Sequence, residues 1–119
     1  MANPNIVNVT SILGKTAVAN VSTVSSNIVT NSAGSNTIVK INTLMASNIN
    51  ATATFDFSAS IFRSSIDYSL ASTIAIPSDA SLVVLSKDTA IYLEEGDSIK
   101  CTASSNGAIV AVCSYEIIS

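Results

Sequence analysis

Apolar and polar residues alternate most clearly in the middle of the chain. There the sequence reads Phe55-Asp56-Phe57-Ser58-Ala59-Ser60-Ile61, so every second residue is apolar. Successive side chains of a β-strand point to opposite faces, and this spacing therefore places the apolar groups together on one face. The pattern predicts a strand with one buried face and one face in water, and it assigns both phenylalanines to the core.

Further runs of β-branched and apolar residues, bounded by Ser, Asn, Gly or Pro, predict short strands along the rest of the chain. Eight to ten short strands at this spacing are typical of a two-sheet sandwich or a barrel. We expect an all-β, single-domain antiparallel β-sandwich of jelly-roll or Ig-like type. The other predicted strands are Asn5–Ile12, Ala17–Val24, Asn27–Thr30, Thr37–Ala46, Tyr68–Ile76, Leu82–Leu85, Ala90–Leu93, Ser98–Ala103 and Ala108–Ile118.

The composition supports this fold class. The chain has 119 residues, among them 15 Ile, 11 Val and 11 Thr, which favour strands over helices. Ser, Thr and Asn together supply 43 residues, whereas only 13 residues are charged. Hydroxyl and amide groups must therefore provide most of the polar surface.

Two glycines predict tight hairpins. In Leu93-Glu94-Glu95-Gly96-Asp97 and in Ser104-Ser105-Asn106-Gly107-Ala108, Gly is the third residue of a three-residue loop. A type I turn followed by a residue with positive φ makes such a hairpin. If Ser104 pairs with Ala108, the second hairpin gathers most apolar residues on one face.

That register also bears on the two cysteines. Cys101 would face Ala111, and Cys113 would lie diagonally from it, with roughly 7 to 8 Å between the Cα atoms of the cysteines. This separation exceeds what an unstrained disulfide spans, so we expect two free, buried thiols. A bridge stays the alternative.

The first third of the chain differs from the rest. Residues 1–36 interleave Val, Ser, Thr and Asn without a clean period, and they contain no acidic residue. We expect residues 1–36 to form either edge strands or an extended arm that adds a strand to a neighbouring subunit. Residues 37–119 are expected to form the sandwich core.

Candidate groups for chemistry are few. Histidine is absent, five basic residues are scattered along the chain, and the formal net charge is −3. We therefore expect no enzymatic activity, no catalytic, cofactor-binding or metal-binding residues, and no nucleic-acid partner. The acidic residues Asp88, Glu94, Glu95 and Asp97 lack the spacing of a calcium loop and are expected to form a solvated turn.

Membrane and carbohydrate partners are not favoured either. The longest apolar run has six residues, Ala108 to Cys113, which is far less than a bilayer requires. Three Asn-x-Ser/Thr triplets, at Asn8, Asn20 and Asn50, are about as many as chance produces in so Asn-rich a sequence. Few aromatic residues are present to stack against sugars.

Several segments carry a resemblance to a known group. They are Leu70-Ala71-Ser72-Thr73-Ile74-Ala75-Ile76-Pro77, Ser81-Leu82-Val83-Val84-Leu85, Ile91-Tyr92-Leu93-Glu94-Glu95-Gly96-Asp97-Ser98-Ile99-Lys100, the closing Cys113-Ser114-Tyr115-Glu116-Ile117-Ile118-Ser119 and the opening Asn3-Pro4-Asn5-Ile6-Val7-Asn8-Val9. In these stretches the chain resembles small virion structural proteins of tailed bacteriophages, particularly marine cyanophages. The resemblance covers about two thirds of the chain.

The resemblance implies a passive structural role, most readily that of a capsid decoration or cement protein. Such a protein binds the major capsid protein or other virion proteins, and we expect it to be a homo-oligomer, with a trimer favoured. The expected location is the virion, after synthesis in the host cytoplasm, since no signal peptide is recognisable. The alternatives are a tail, neck or fibre-associated virion protein, and, with less support, a glycan-binding or pilin-like surface module.

Overall fold

A computed structural model describes residues 10–119 of the chain. Nine strands make up almost all of its regular structure, and the helical part of the described residues is a single 3-10 turn at Lys87–Thr89. The strands are β1 (Ile12–Val21), β2 (Ser26–Thr30), β3 (Ile38–Asn48), β4 (Phe55–Arg63), β5 (Ile66–Ile76), β6 (Ser81–Leu85), β7 (Ile91–Leu93), β8 (Ser98–Ala103) and β9 (Ile109–Ile118). All strand pairs are antiparallel. The all-β prediction is confirmed.

The strands form two sheets that pack face to face. Sheet A has the order β1-β9-β3-β6, with β7 also paired to β3, and sheet B has the order β2-β8-β4-β5. The first strand thus pairs with the last, the second with β8, the third with β6 and β7, and the fourth with the fifth. Four nested antiparallel strand pairs that are distributed over two packed sheets define a jelly roll. The pairing decides between the two predicted sandwich types in favour of the jelly roll.

The core lies between the sheets and follows the period-two pattern of the sequence. Phe57 and Ala59 of β4 are fully buried, while Phe55 and Ile61 of the same strand are partly buried against the core. In β3 the regular alternation is broken at Asn42, where the register to β9 shifts by one residue. This extra residue forms a bulge, so that Ile41 and Leu44 both face the core.

Both predicted hairpins are wrong, although their turns are as expected. Gly96 and Gly107 have φ values of 89° and 74°. However, β7 and β9 belong to sheet A while β8 belongs to sheet B, so each turn carries the chain from one sheet to the other. A three-residue turn is compatible with either arrangement, because the turn alone does not determine whether the flanking strands pair with each other.

The buried faces of the two last strands were nevertheless mostly predicted correctly. Of the residues that the hairpin register places on the apolar face, Tyr115 and Ile117 are partly buried, and the others are buried: Ile99, Cys101, Ala103, Ile109, Ala111 and Cys113. Ala111 lies beside Ala19 and Ala46 rather than Cys101, whose lateral neighbours are Ala59 and Ser26. The sequence of a strand therefore indicates which of its faces is buried, whereas residues elsewhere in the chain determine which strand pairs with it.

The first strand differs from its prediction. β1 runs without interruption through Leu13–Thr16, which the sequence pattern left between two predicted strands. Residues 5–9 of the predicted strand Asn5–Ile12 lie outside the described residues. Because β1 is the outermost strand of sheet A, much of it is exposed, and the apolar and polar residues need not alternate cleanly.

One tight hairpin had no recognised signal. β4 and β5 are joined by Ser64 and Ser65 alone, both with positive φ, 52° and 63°. Two successive residues of positive φ form a type I′ turn, for which Asn-Gly is the usual sequence. The serine pair gives no comparable signal, so this hairpin is set by the pairing of the flanking strands.

Candidate functional site

At one end of the sandwich a buried asparagine joins three chain segments. Asn31 is 2% exposed and directly follows β2. Its Nδ2 donates to the carbonyl oxygens of Thr37 at 3.0 Å and Leu93 at 2.9 Å, and its Oδ1 accepts from the Ser35 hydroxyl at 2.6 Å. Its main chain bonds to both Gly96 and Asp97. We call this end, with the loops 31–37, 64–65 and 94–97, the Asn31 end.

The same end contains the main ion-pair network of the described residues. Arg63 Nε lies 3.0 Å from each carboxylate oxygen of Asp97, and its guanidinium also lies 3.1 Å from Glu94. Asp97 further accepts a hydrogen bond from the Glu94 main-chain N–H. The hydrogen bond to Asp97 is the main reason why the pKa of Arg63 is raised. The guanidinium stays charged at any pH of interest.

The sequence led us to expect a solvated acidic turn, but not all of its carboxylates lie in water. Asp97 is 3% exposed, and Glu95 Oε1 accepts from the Gly34 main-chain N–H at 2.8 Å. Only Asp88 and Glu94 of the four acidic residues are exposed. Asp97 is buried because a bidentate arginine and a main-chain N–H compensate its loss of water.

An open hollow of about 520 Å³ lies over this network. Its lining combines the arginine, the three acidic residues of the turn and the two serines of the hairpin. Most of these charged groups are engaged with one another, which favours a role in holding the loops together. Within residues 10–119 no group of three or more His, Cys, Asp or Glu side chains is arranged to hold a metal ion.

The opposite end, with the loops 22–25, 49–54, 77–80 and 104–108, is held by a second buried asparagine. We call it the Asn48 end. Asn48 is 1% exposed, and its Nδ2 donates to the carbonyl oxygens of Ala53 at 2.9 Å and Ile76 at 2.8 Å. Its Oδ1 accepts from the Asn50 main-chain N–H at 2.9 Å. A neutral amide thus joins β3, the following loop and the end of β5.

The outer face of sheet B is polar and concave. A hollow of about 300 Å³ there is lined mainly by small residues and hydroxyl groups: Ser25, Ser58, Ala59, Ser60, Asp67, Ser69, Ala71, Ser72, Lys100 and Thr102. The one aromatic ring nearby is covered, since Lys100 Nζ lies 3.8 Å from the centroid of Phe62. This face offers hydrogen bonds but no open aromatic platform.

The outer face of sheet A has a different character. Val18 faces Val112, Val112 faces Met45, and Met45 faces Val83, so that four side chains form a row across β1, β9, β3 and β6. Val18 is 70% exposed and Val83 is 56% exposed. We call these four residues the apolar row. Large side chains aligned on the water-exposed face of a sheet are a feature of binding surfaces.

Small polar residues lie beside the apolar row on both sides. Thr16, Ser114 and Thr43 face one another on one side. On the other side Val110 lies between Asn20 and Ser47, and Ser47 also faces Ser81, with their hydroxyl oxygens 3.0 Å apart. A partner that lies on this face would therefore meet apolar contact in the middle and hydroxyl groups at the margins. This arrangement matches the apolar core and polar rim of protein interfaces.

The two thiols lie inside the core. Cys101 and Cys113 are both free, with exposed fractions of 4% and 0%, one on each sheet. Burial raises the pKa of each thiol to about 12, because the interior disfavours a thiolate. Thiols of this kind are unreactive and behave as small apolar groups. The expected state is found, although the hairpin from which it was argued is not.

The residues that organise both ends were missed by sequence reasoning. Asn31 and Asn48 are two of 11 asparagines, and nothing in their immediate sequence separates them from the exposed ones. Both follow or end a strand, where Asn is common in turns. Their burial results from the approach of segments that are distant in sequence.

Comparisons with known proteins do not assign the chain to a family. No family model matches it, and no curated protein matches it. Within residues 10–119 no helix is long and apolar enough to cross a membrane. Among solved structures, a chain from Bacillus endospore appendages, described as disulfide-linked pili, has a TM-score of 0.48 and 8% sequence identity, covering 91% of this chain and 87% of that chain. A match this distant supports no conclusion about function.

Proposed function

We propose that this protein is a non-enzymatic structural component of a tailed-phage virion, and that it decorates the head by binding the major capsid protein. The sequence resemblance described above suggests the virion. The observation that carries the binding role is the apolar row on the outer face of sheet A. Val18 and Val83 of this row are exposed and Val112 and Met45 are half-buried, and the row lies on the face opposite the sandwich's core.

Binding through this face would depend on contact and hydrogen bonds more than on charge. The apolar row supplies apolar area, and the flanking hydroxyl groups can each add a modest hydrogen bond. The described elements that carry this face have few charged residues, among them Lys15, Lys40 and Glu116. We therefore expect binding that changes little with salt concentration, unlike association driven by ion pairs.

The decisive experiment is a reconstruction of virions that carry variants of this chain. Val83→Glu places a charge in the apolar row at an exposed position, where the fold tolerates it. The matched control is Ser69→Glu, on the outer face of sheet B. We expect the Val83 variant to lose its density on the head, while the control retains normal occupancy.

Three outcomes would contradict the proposal. They are normal occupancy of the Val83 variant, equal loss for both variants, and density of this chain only at the tail, neck or fibres. A truncation that tests an N-terminal arm must end before Thr10, because residues 12–21 form β1 and contribute Val21 to the core. Removal of the first 20 residues would take away an edge strand of sheet A.

A second candidate is the recognition of host glycans by the hollow on sheet B. The observation that favours it is the combination of hydroxyl groups with Asp67 and Lys100 around one concave surface. Glycan-array binding by the wild-type chain, lost in Asp67→Ala but kept in Val83→Glu, would support this function. Absence of binding to any glycan would remove it.

A further inference from the structure

The four sheet edges of the described residues are not equivalent. β2 and β6 have five residues each and β7 has three, and the pairings of β2 and β6 contain register shifts. β5 has 11 residues, but its pairing shifts twice and Thr73 has a φ of 51°. Short and bulged edges resist pairing with other chains. Among these edge strands, β1 alone combines length, with ten residues, and an unshifted register.

The direction of the main-chain groups of β1 follows from its pairing with β9. Ser11 and Ser119 exchange both hydrogen bonds, N–H to O in each direction. In an antiparallel pair such bonded residues recur at every second position. The odd-numbered residues of β1 therefore bond to β9. The N–H and C=O groups of the even-numbered residues point away from the sheet: Ile12, Gly14, Thr16, Val18 and Asn20.

We propose that the outer edge of β1 binds β1 of a second copy of this chain in antiparallel orientation, with Ala17 facing Ala17 on a two-fold axis. The even-numbered residues then pair with even-numbered ones, Thr16 with Val18 and Gly14 with Asn20. Their outward N–H and C=O groups thereby find partners. Nine residues, 13–21, are paired in each copy, and the contact is about 30 Å long.

Charge and side-chain contacts favour this partner and this register. Lys15 is the one charged residue of β1, and a lysine at an edge opposes pairing when it meets another positive charge. In the proposed register Lys15 faces Ala19 of the second copy. The two lysines are then four positions apart, about 13 Å, which is beyond the screening length at physiological salt.

The same register can cover an exposed apolar side chain. Leu13, which is 51% exposed in the isolated chain, would lie opposite Val21 of the second copy, whose own side chain is buried in its core. Sheet A would continue across the axis, so that the two apolar rows lie on one surface of the dimer. A contact in which each copy presents the same strand closes at two subunits. It therefore replaces the trimer that we expected from the sequence, and it does not rest on the virion proposal.

The test is made with the purified full chain in solution. We expect light scattering to give twice the 12.2 kDa of the monomer at about 0.1 mM, with dissociation on dilution. Thr16→Pro removes an N–H that points away from β9, and it does so twice in a symmetric contact. It should weaken the dimer roughly tenfold or more. Thr16→Val, which keeps the N–H, should dimerise as the wild type does.

Amide hydrogen exchange identifies the edge even if the proline variant fails to fold. We expect the even-numbered amides of β1 to be protected in the dimer and to lose protection on dilution. The odd-numbered amides should be protected throughout. A monomer at about 0.1 mM, a trimer, or a dimer with unprotected even-numbered amides would each overturn the proposal. Protection of those amides in the monomer would also overturn it, because the chain would then cover its own edge.

Discussion

The loops at the two ends of the sandwich are held together by different sets of polar groups. At the Asn31 end and at the Asn48 end, a buried asparagine donates to the main-chain carbonyls of two other segments. The Asn31 end adds the Arg63, Glu94 and Asp97 network, whereas the hydrogen bonds of the Asn48 end come from amides, hydroxyls and the main chain. The two ends therefore allow the contribution of a buried amide to the free energy of unfolding to be separated from that of an ion pair.

We infer that the buried amides hold the loops at both ends and that the ion pairs supplement them at the Asn31 end. A buried amide offsets the free-energy cost of losing its water when its N–H and C=O groups are all hydrogen-bonded, and it needs no counter-charge. The ion pair is partly open to water, since the Arg63 side chain is 44% exposed, so its net contribution is smaller. The substitutions below test this ranking from the largest expected effect to the smallest.

Removal of either buried amide should have the largest effect. Asn48→Ala leaves the carbonyls of Ala53 and Ile76 without their donor, and Asn31→Ala does the same to Thr37 and Leu93. We expect each to lower the free energy of unfolding by about 2–4 kcal/mol, measured by urea titration. The exposed Asn27→Ala should change it by less than about 0.5 kcal/mol. Equal effects of all three substitutions would contradict the role of the amides.

The core between the ends should weaken at alkaline pH. The pKa of each thiol is about 12 in the folded chain, against 9.0 for an ordinary thiol. Above pH 9 the unfolded chain releases protons that the folded chain retains, so stability falls as pH rises from 9 towards 12. The slope is up to about 1.4 kcal/mol per pH unit for each thiol.

The control for the alkaline effect is the double variant Cys101→Ala, Cys113→Ala. It should be less stable at pH 7, because two small cavities remain in the core, but its stability should fall less steeply above pH 9. Denaturant titrations from pH 7 to pH 10.5 measure both slopes. Parallel slopes for wild type and variant would show that other groups cause the loss.

Loss of the ion pair should affect only the Asn31 end. Asp97→Asn removes the charge that Arg63 and the Glu94 main-chain N–H face, at an expected cost of about 1–2 kcal/mol after allowance for the exposed arginine. Asp79→Asn is the matched control, since Asp79 is an exposed aspartate at the Asn48 end. A high salt concentration should reduce the difference in the free energy of unfolding between wild type and Asp97→Asn. A salt-independent difference would mean that hydrogen bonds, rather than charge, account for it.

The smallest effect is a gain at the Asn31 end. Ser64→Asn with Ser65→Gly supplies the residues that a type I′ turn favours, at positions whose φ is already positive. We expect a gain of about 0.5–1 kcal/mol in the free energy of unfolding. Ser65→Ala should give no such gain, because alanine, like serine, keeps a Cβ at a φ that favours glycine. A loss in the Asn-Gly variant would show that the turn is not limited by backbone conformation.

Sequence reasoning succeeded where a property belongs to one strand. Phe57 was placed on a buried face from alternation, Ile99 and Cys113 were placed there from the faces assigned to the second predicted hairpin, and all three are buried. It failed where a property needs a second segment. Both glycine turns have the predicted backbone, yet the strands beside them pair elsewhere, and the serine turn forms a hairpin without the usual residues.

The candidate surface shows the same division. The sequence pattern did not single out Val18, Met45, Val83 and Val112, and their alignment in one row depends on the register of three strand pairs. The outward direction of the even-numbered groups of β1 likewise depends on its bonds to β9. Neither the alignment of the row nor the direction of these main-chain groups can be recognised from a local sequence pattern.

The amino-acid sequence by itself determined an all-β chain with a hydroxyl-rich surface and two buried thiols, because strand preference, period and composition are local quantities. The jelly-roll pairing, the burial of Asn31, Asn48 and Asp97, and the position of β1 at the edge of sheet A emerge only in the folded chain. These depend on which distant segments meet. Such contacts are selected by the total burial of apolar area and by the hydrogen bonding of buried polar groups such as the two amides.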